Sequence, residues 1–438
     1  MAKFGRILGH VARGVAAIAV IGALSSAVSA KETEEEQAAP AADIPPFPAW
    51  DAFVDDLRNL WPEVAAKVPP EMREDPQVRQ ELGRLMLEAL AARTIDAVGS
   101  DGDHPWFLPH IGLLMNVFQP NADTIYRNTR ITPGGSYRLR GKRGTLPIFK
   151  MAQFGPTPVD TGGGVHAHGY EDFSTLNVDA EGHFDVILSP VRPDGYDGDW
   201  WELNPETTQL MIRQMSSDWA GEDDPTVAIE RLDTPVQSPR IGADELERRL
   251  RWIGPTVKNS ATFLVDHVVQ LREEGYVNKL KIFDVVTNLG GLFGQFYYEG
   301  AYELAPDEAL IMEAEVPSVC AYASLILTND IYETTDWYNN QASLNNAQWR
   351  VDADGILRVV VSAKDPGVPN WLDTSGYPTG AVQGRWTDCN AQPVPSVRLV
   401  KLDALRDELP AETPSVTPEE RQRIIRDRRA AYQQRPHW

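Results

Sequence analysis

The sequence predicts an α+β fold in which β-structure dominates. Three observations carry this. Short apolar runs punctuated by Gly and Pro fill residues 116–242 and again 290–402, the pattern of antiparallel strands joined by tight turns. Apolar residues at helical spacing occupy the stretch before the first of these regions and the stretch between them. A charged segment with a helix-start signature follows the second.

The first 30 residues stand apart. Lys3, Arg6 and Arg13 precede an uncharged, mostly apolar run over 14–24, and Val28, Ser29 and Ala30 supply small residues for cleavage. This is the pattern of a secretory signal peptide. The run is short for a membrane span of about 20 apolar residues. Arg6 and Arg13 are not adjacent, and no lipid-attachment Cys follows. The expectation is an exported protein, periplasmic or secreted, with no stable membrane insertion after cleavage. Residues 31–46, with Glu32, Glu34, Glu35 and Glu36, read as an acidic disordered linker.

Residues 47–115 read as an N-terminal helical segment. Phe53, Leu57, Leu60, Trp61 and Val64 predict a helix over 50–66, and Leu82, Leu85, Met86, Leu90 and Ile95 predict another over 78–98. Residues 116–242 form a first β domain, with strands predicted over 136–140, 145–150, 183–189 and 227–232. Residues 243–289 are a helical insertion, with Gly254-Pro255 marking a break.

Residues 290–402 form a second β domain. Over 309–316, Leu310, Met312, Ala314 and Val316 alternate with Glu313 and Glu315, which predicts a half-buried strand. A strand over 322–327 follows, Asp354-Gly355 predicts a hairpin between 348–351 and 356–362, and 397–402 closes the sheet. Residues 403–438 are a C-terminal helical tail. Its helix, over 418–434, is capped by Thr417 and carries Glu419 and Glu420 in its first turn.

The formal charge of −22 excludes nucleic acid and anionic membrane surfaces as partners, and loss of Lys3, Arg6 and Arg13 takes it to about −25. Cys320 falls in an apolar strand-like run and Cys389 in a polar loop. Export permits a disulfide between them, and the spacing leaves open whether they meet. Homo-oligomerisation stays open as well.

Several segments together carry a resemblance. They are Asn121–Tyr126, Gly135–Gly141, Leu304–Leu310, Gln341–Asn345 and the run Asp365–Asp373, which reads DPGVPNWLD. On these the chain, from about residue 50 to its end, resembles the bacterial domain of unknown function 1214 family, with an N-terminal part similar to the domain of unknown function 1254. The resemblance implies two antiparallel β-sandwich or jelly-roll-like units with helical decorations. It names no chemistry.

The residues offer three clusters of candidate chemistry. The first is an amide-rich and turn-rich stretch with Asn340, Gln341, Asn345, Asn370, Trp371, Asp373 and Arg385, which suits a pocket for a small polar or amphipathic molecule. Trp337, Tyr338, Trp349 and Trp371 would stack on a sugar face, making a glycan-like ligand one form of this reading. A structural alternative pairs Asp373 with Arg385 and seats Trp371 in a sandwich end.

The second cluster is Asn121, Asp123, Tyr126 and Arg127. Here Asp123 serves as acid, base or ligand anchor, or the residues simply cap a turn. Asp123 and Asp373 together define the rival reading, a carboxylate-based hydrolase, lyase or isomerase. The third cluster is His166 and His168, an i, i+2 pair able to hold a divalent metal with Glu171, Asp172 or His183 as a third ligand, and otherwise a polar loop. No other cofactor is expected. A structural or assembly module of the cell envelope is the remaining alternative. Nucleophile-elbow, zinc-protease and phosphate-loop motifs are all absent from the sequence.

Overall fold

The computed structural model describes residues 46–155, 167–286 and 290–437. The signal peptide and almost all of the acidic linker expected from the sequence lie outside the described residues. The body from Pro48 to the C-terminus is α+β and β-dominated, with four sheets among the described residues.

Three helices open it: α1 (Pro48–Ala65), α2 (Pro70–Glu74) and α3 (Pro76–Gly99). Pro76 pre-sets the first turn of α3, and the Asp75 carboxylate accepts the free N–H groups of Gln77 and Val78. Eight strands follow: β1 (Thr124–Arg130), β2 (Tyr137–Lys142), β3 (Ile148–Phe154), β4 (Ala167–Asp172), β5 (His183–Ser189), β6 (Asp199–Glu202), β7 (Gln209–Met215) and β8 (Thr226–Arg231). The strand expected from residue 145 begins later, at Ile148, because Pro147 has no N–H to give a neighbour. Sheets ordered β1-β7-β3-β4 and β6-β5-β2-β8 pack face to face, with Tyr137, Leu139, Phe149, Met151, Val186, Leu188, Leu210 and Ile212 between them.

The insertion holds α4 (Ala243–Thr262) and α5 (His267–Glu273). The break is not at Gly254-Pro255, where α4 runs straight through, but after Thr262. Proline removes one helical donor at this point, and the Thr256 hydroxyl donates to the carbonyls of Trp252 and Ile253 just before it. Gly254 is needed for closeness: a Cβ there would lie 2.0 Å from the Asp56 carboxylate of α1. Ile253, Val257 and Ala261 of α4 join Phe53, Leu60 and Val64 of α1 and Leu82, Leu85 and Ala89 of α3 in one core. The N-terminal segment and the insertion, far apart in sequence, are therefore one helical layer.

The second β unit contains β9 (Lys281–Ile282), β10 (Gln295–Glu303), β11 (Glu308–Glu315), β12 (Cys320–Thr328), β13 (Ser343–Asn345), β14 (Ile356–Ser362), β15 (Trp371–Asp373), β16 (Thr379–Cys389) and β17 (Ser396–Lys401). Its sheets, β13-β12-β16-β10-β9 and β15-β14-β11-β17, enclose Tyr298, Leu310, Met312, Leu325, Val359, Val361 and Trp386. As expected, β17 closes its sheet at an edge. Cys320 and Cys389 face each other across β12 and β16 and form a disulfide, so Cys389 ends a strand and does not sit in a loop.

Two expectations need correction here. Strand β11 is buried on both faces, because Ala309 and Ile311 are covered from outside by Leu405 and Leu409. The Asp354-Gly355 turn exists, with Gly355 at φ 82°, but residues 348–351 add only a single bridge, Val351 to Leu357. The edge of β14 is taken by β15 in parallel register, and the Asn370 amide satisfies both the N–H and the C=O of Arg350.

The chain ends in α6 (Pro418–Gln434), capped by reciprocal bonds between Thr417 and Glu420. This is no free tail. Arg421 reaches Asp365 (2.9 Å) and Gln341 (2.7 Å), and Arg435 reaches Asp224 (2.8 Å). Among the described residues no helix is long and apolar enough to cross a membrane.

Where α3 meets the segment after β12, Glu81, Glu88 and Glu333 are all buried. Burial, then the nearby Glu88 charge, pushes Glu333 up to about 8 from an ordinary 4.5. Its folded form keeps a proton that the unfolded chain has released, so stability is fullest below 4.5 and falls as pH rises towards 8. Glu333→Gln should leave the melting temperature nearly unchanged near pH 5 and stabilise by several kcal/mol, on the order of 5, near pH 9. Thermal unfolding across that range checks this, and parallel curves for the two proteins would contradict it.

Candidate functional site

Alternation along four strands builds the site. On β7, Leu210 and Ile212 enter the first sandwich core, so Gln209, Met211 and Arg213 face away from it. Register places Tyr126 opposite Arg213 and Arg130 opposite Gln209. On β10 and β16, Tyr298, Val382 and Trp386 enter the second core. Tyr297 and Glu299 therefore face outward beside their partners Arg385 and Gln383. These two polar outer faces bound a cavity of about 360 Å³, closed by Arg93 of α3 and by Trp252 and Ser260 of α4. Phe118 and Gln119 also line it, both in left-handed backbone at φ 63° and 56°. Such conformations persist only where surrounding structure enforces them.

Among the described residues the lining contains four arginines, Arg93, Arg130, Arg213 and Arg385, and no carboxylate. Arg130 is paired with Asp96 at 3.1 Å and lies over the Trp252 ring. Arg93 donates to Ser260 Oγ at 2.7 Å and lies over Phe118. Arg213 donates to the Gly290 carbonyl at 3.0 Å, and Arg385 to Gln119 Oε1 at 3.0 Å. Neither of these last two meets a carboxylate among the described residues, and each has a buried Nη1 without a partner. His110 Nδ1, Gln119 Nε2 and Gln383 Oε1 are likewise buried, unpartnered and on this cavity. Burial, followed by the charge of Arg93, holds His110 down at about 3, so its ring is neutral. Five polar atoms left open around one cavity are unusual, since buried polar groups are nearly always paired. They outline what a ligand would supply: acceptors for the donors and a donor for Gln383.

The sequence-predicted residues divide. Asn121, Tyr126 and Arg385 line the cavity. Arg385 sits inside strand β16 and not in a turn, and it binds Gln119 and Tyr297, not Asp373. Arg127 faces the other way, to Gln214 and the Pro436 carbonyl. Asn340 bonds the Asp336 carbonyl, and Gln341 the carbonyls of Pro369 and Trp371. Asn370 is spent on Arg350, and Trp371 on Ser362, with Arg421 over its ring. Trp337 is buried, Trp349 packs against Trp386, and neither these, Tyr338 nor Trp371 lines the cavity.

The carboxylates also separate. Asp123 is fully buried and accepts from Trp219 Nε1 (2.8 Å), Tyr322 Oη (2.6 Å) and Asn345 Nδ2 (2.9 Å). Burial pushes its carboxyl above the usual range and these donors pull it back. Asp373 accepts from the Ser375 N–H. The two share no partner, and neither lines the cavity. His166 lies outside the described residues. His168 is on β4 with a buried, unpartnered Nδ1, Glu171 accepts from Gln153, and Asp172 caps the next turn. His183 instead joins Asp179 and Glu181 in an exposed group that includes none of these.

Sequence reasoning missed Arg93, His110, Arg130, Arg213 and Gln383. The signal for one pair was present: Gln383 and Arg385 lie two apart between Val382, Gly384 and Trp386, the alternation of a strand with one polar face.

No family model and no curated protein matches the chain. Among solved structures it is similar to an uncharacterized protein from Burkholderia cenocepacia, with TM-score 0.74 and 27% sequence identity over 81% of this chain and 97% of that one. The VPA0106 protein from Vibrio parahaemolyticus is matched with TM-score 0.41 and 12% identity over 73% of this chain and 98% of that one. The first likeness shows that the fold is shared over nearly all of the Burkholderia chain.

With three donors converging on it, Asp123 holds structure together. Asp123→Ala should destabilise the protein by about 2–4 kcal/mol in urea unfolding, because it strands those buried donors. An unchanged midpoint would show that the donors find other partners.

Proposed function

We propose that this chain binds a small organic anion with an apolar body in the cavity between its two β units. The observation that carries the reading is a pair of guanidiniums that meet no carboxylate among the described residues, Arg385 buried and Arg213 half-buried, each with a buried Nη1 left open. Arg385 lies over the Tyr297 ring at 5.6 Å, and the charges of both Arg385 and Arg213 oppose the upward push of burial on the Tyr297 hydroxyl, so both guanidiniums are near that side chain. An unpaired cation in a low-dielectric site costs several kcal/mol, and a ligand acid group removes that cost while accepting bidentate bonds. Phe118, Trp252 and Phe263 supply an apolar wall for the rest of the molecule. The volume, about 360 Å³, lies at the small end of ligand pockets. Because the tryptophans considered for sugar stacking fill cores, an acid fits this cavity better than a glycan.

The same proposal includes export and kinship with the domain of unknown function 1214 family. The Cys320–Cys389 bond supports export, since cytosolic thiols are kept reduced.

Titration calorimetry with a panel of aliphatic, aromatic and phosphorylated acids tests the reading. Arg385→Met and Arg213→Met should each weaken binding by about 10–100-fold, while Asp373→Asn leaves it unchanged. The melting temperature of Arg385→Met should hold or rise, since it loses a buried charge that meets no carboxylate among the described residues. Failure of the whole panel to bind, or arginine variants that bind as tightly as the parent, would overturn it.

A further inference from the structure

Resting on the anion-binding reading and sharpening it, we infer that the ligand carries a neutral hydrogen-bond donor, a hydroxyl or an amide N–H, close to its acid group, and that Gln383 reads it. The argument concerns which end of the Gln383 amide faces the cavity. Glu299 is fully buried, and its carboxylate accepts the Tyr332 hydroxyl proton at 2.7 Å on one oxygen and meets His267 Nε2 at 2.9 Å on the other. A carboxylate only accepts, so the single proton of Tyr332 is committed to it. The Tyr332 oxygen can then only accept, and Gln383 must present Nε2 to it, as it does at 2.7 Å. Turning the amide over would set two acceptors against each other with no proton between them.

The chain His267–Glu299–Tyr332 thus fixes Gln383 with Oε1 free, buried and on the cavity. What meets that oxygen must donate. An ammonium group would face the four arginines of the lining, so the donor is uncharged. Gln383 and Arg385 share one face of β16, about 6–7 Å apart along the strand. Donor and acid therefore lie within a few atoms of each other in the ligand, as in a hydroxy acid or an N-acyl amino acid.

A matched set of probes tests this by calorimetry on the full mature chain: 3-phenyllactate and N-acetylphenylalanine, each with a donor, against 3-phenylpropionate, which has none. At least one donor-bearing acid should bind 10-fold or more tighter than 3-phenylpropionate. Gln383→Leu should erase that preference while leaving the affinity for 3-phenylpropionate within about twofold. Tyr332→Phe, which frees the amide to turn, should shrink the preference without removing the acid site, and it serves if Gln383→Leu does not fold. Equal binding of all three acids to the parent protein would overturn this inference and leave the anion reading standing. A preference that survives in both variants would also overturn it. Binding of none of the three would count against both readings.

Discussion

The constraint on which this structure depends is the cover required by two polar sheet faces. On β10 and β16 the large apolar side chains Tyr298, Val382 and Trp386 turn inward. What remains on β10 and β16 is a row of Gln295, Tyr297, Glu299, Gln383, Arg385 and Thr387, and every one of them is buried. Those groups cannot be buried cheaply unless they are paired. Most are: Glu299 with Tyr332 and His267, Gln295 with Thr387. The unpaired remainder collects around one cavity, where the covering layers do not close.

A second set of buried polar contacts holds the layers in place. Asp123, between the two β units, gathers Trp219 and β7-side structure on one hand and Tyr322 and Asn345 of the second sheet on the other. Arg435, just past α6, donates to the Asp123 carbonyl and pairs with Asp224. Arg421 of the same helix pins the run around Asp365 and Val368. The terminal helix is thus a strut across both units, built from arginines whose forked donors suit several acceptors at once.

The sequence carried the local elements well and the site poorly, for a physical reason. Helical period, proline punctuation and the Thr417–Glu420 cap are written in neighbouring residues, and α1, α3 and α6 fall where they predict. So does the alternation of β11, except that nothing local tells of Leu405 and Leu409 covering its outer face. Amides near residue 340 looked like a binding surface because buried amides need partners. Here the partners are other parts of the chain: Asn345 serves Asp123, Gln341 serves the backbone at Trp371, and Asn370 serves Arg350. The guanidiniums that do face the cavity come from α3, β1, β7 and β16, and only the tertiary fold brings them together.

The most direct test is a crystal structure of the protein soaked with the tightest acid found for it. The account predicts density for an acid group within hydrogen-bond distance of Nη1 of both Arg213 and Arg385, with its apolar part against Phe118 and Trp252. Density elsewhere, or a cavity in which both guanidiniums turn to protein carbonyls and only water remains, would contradict it.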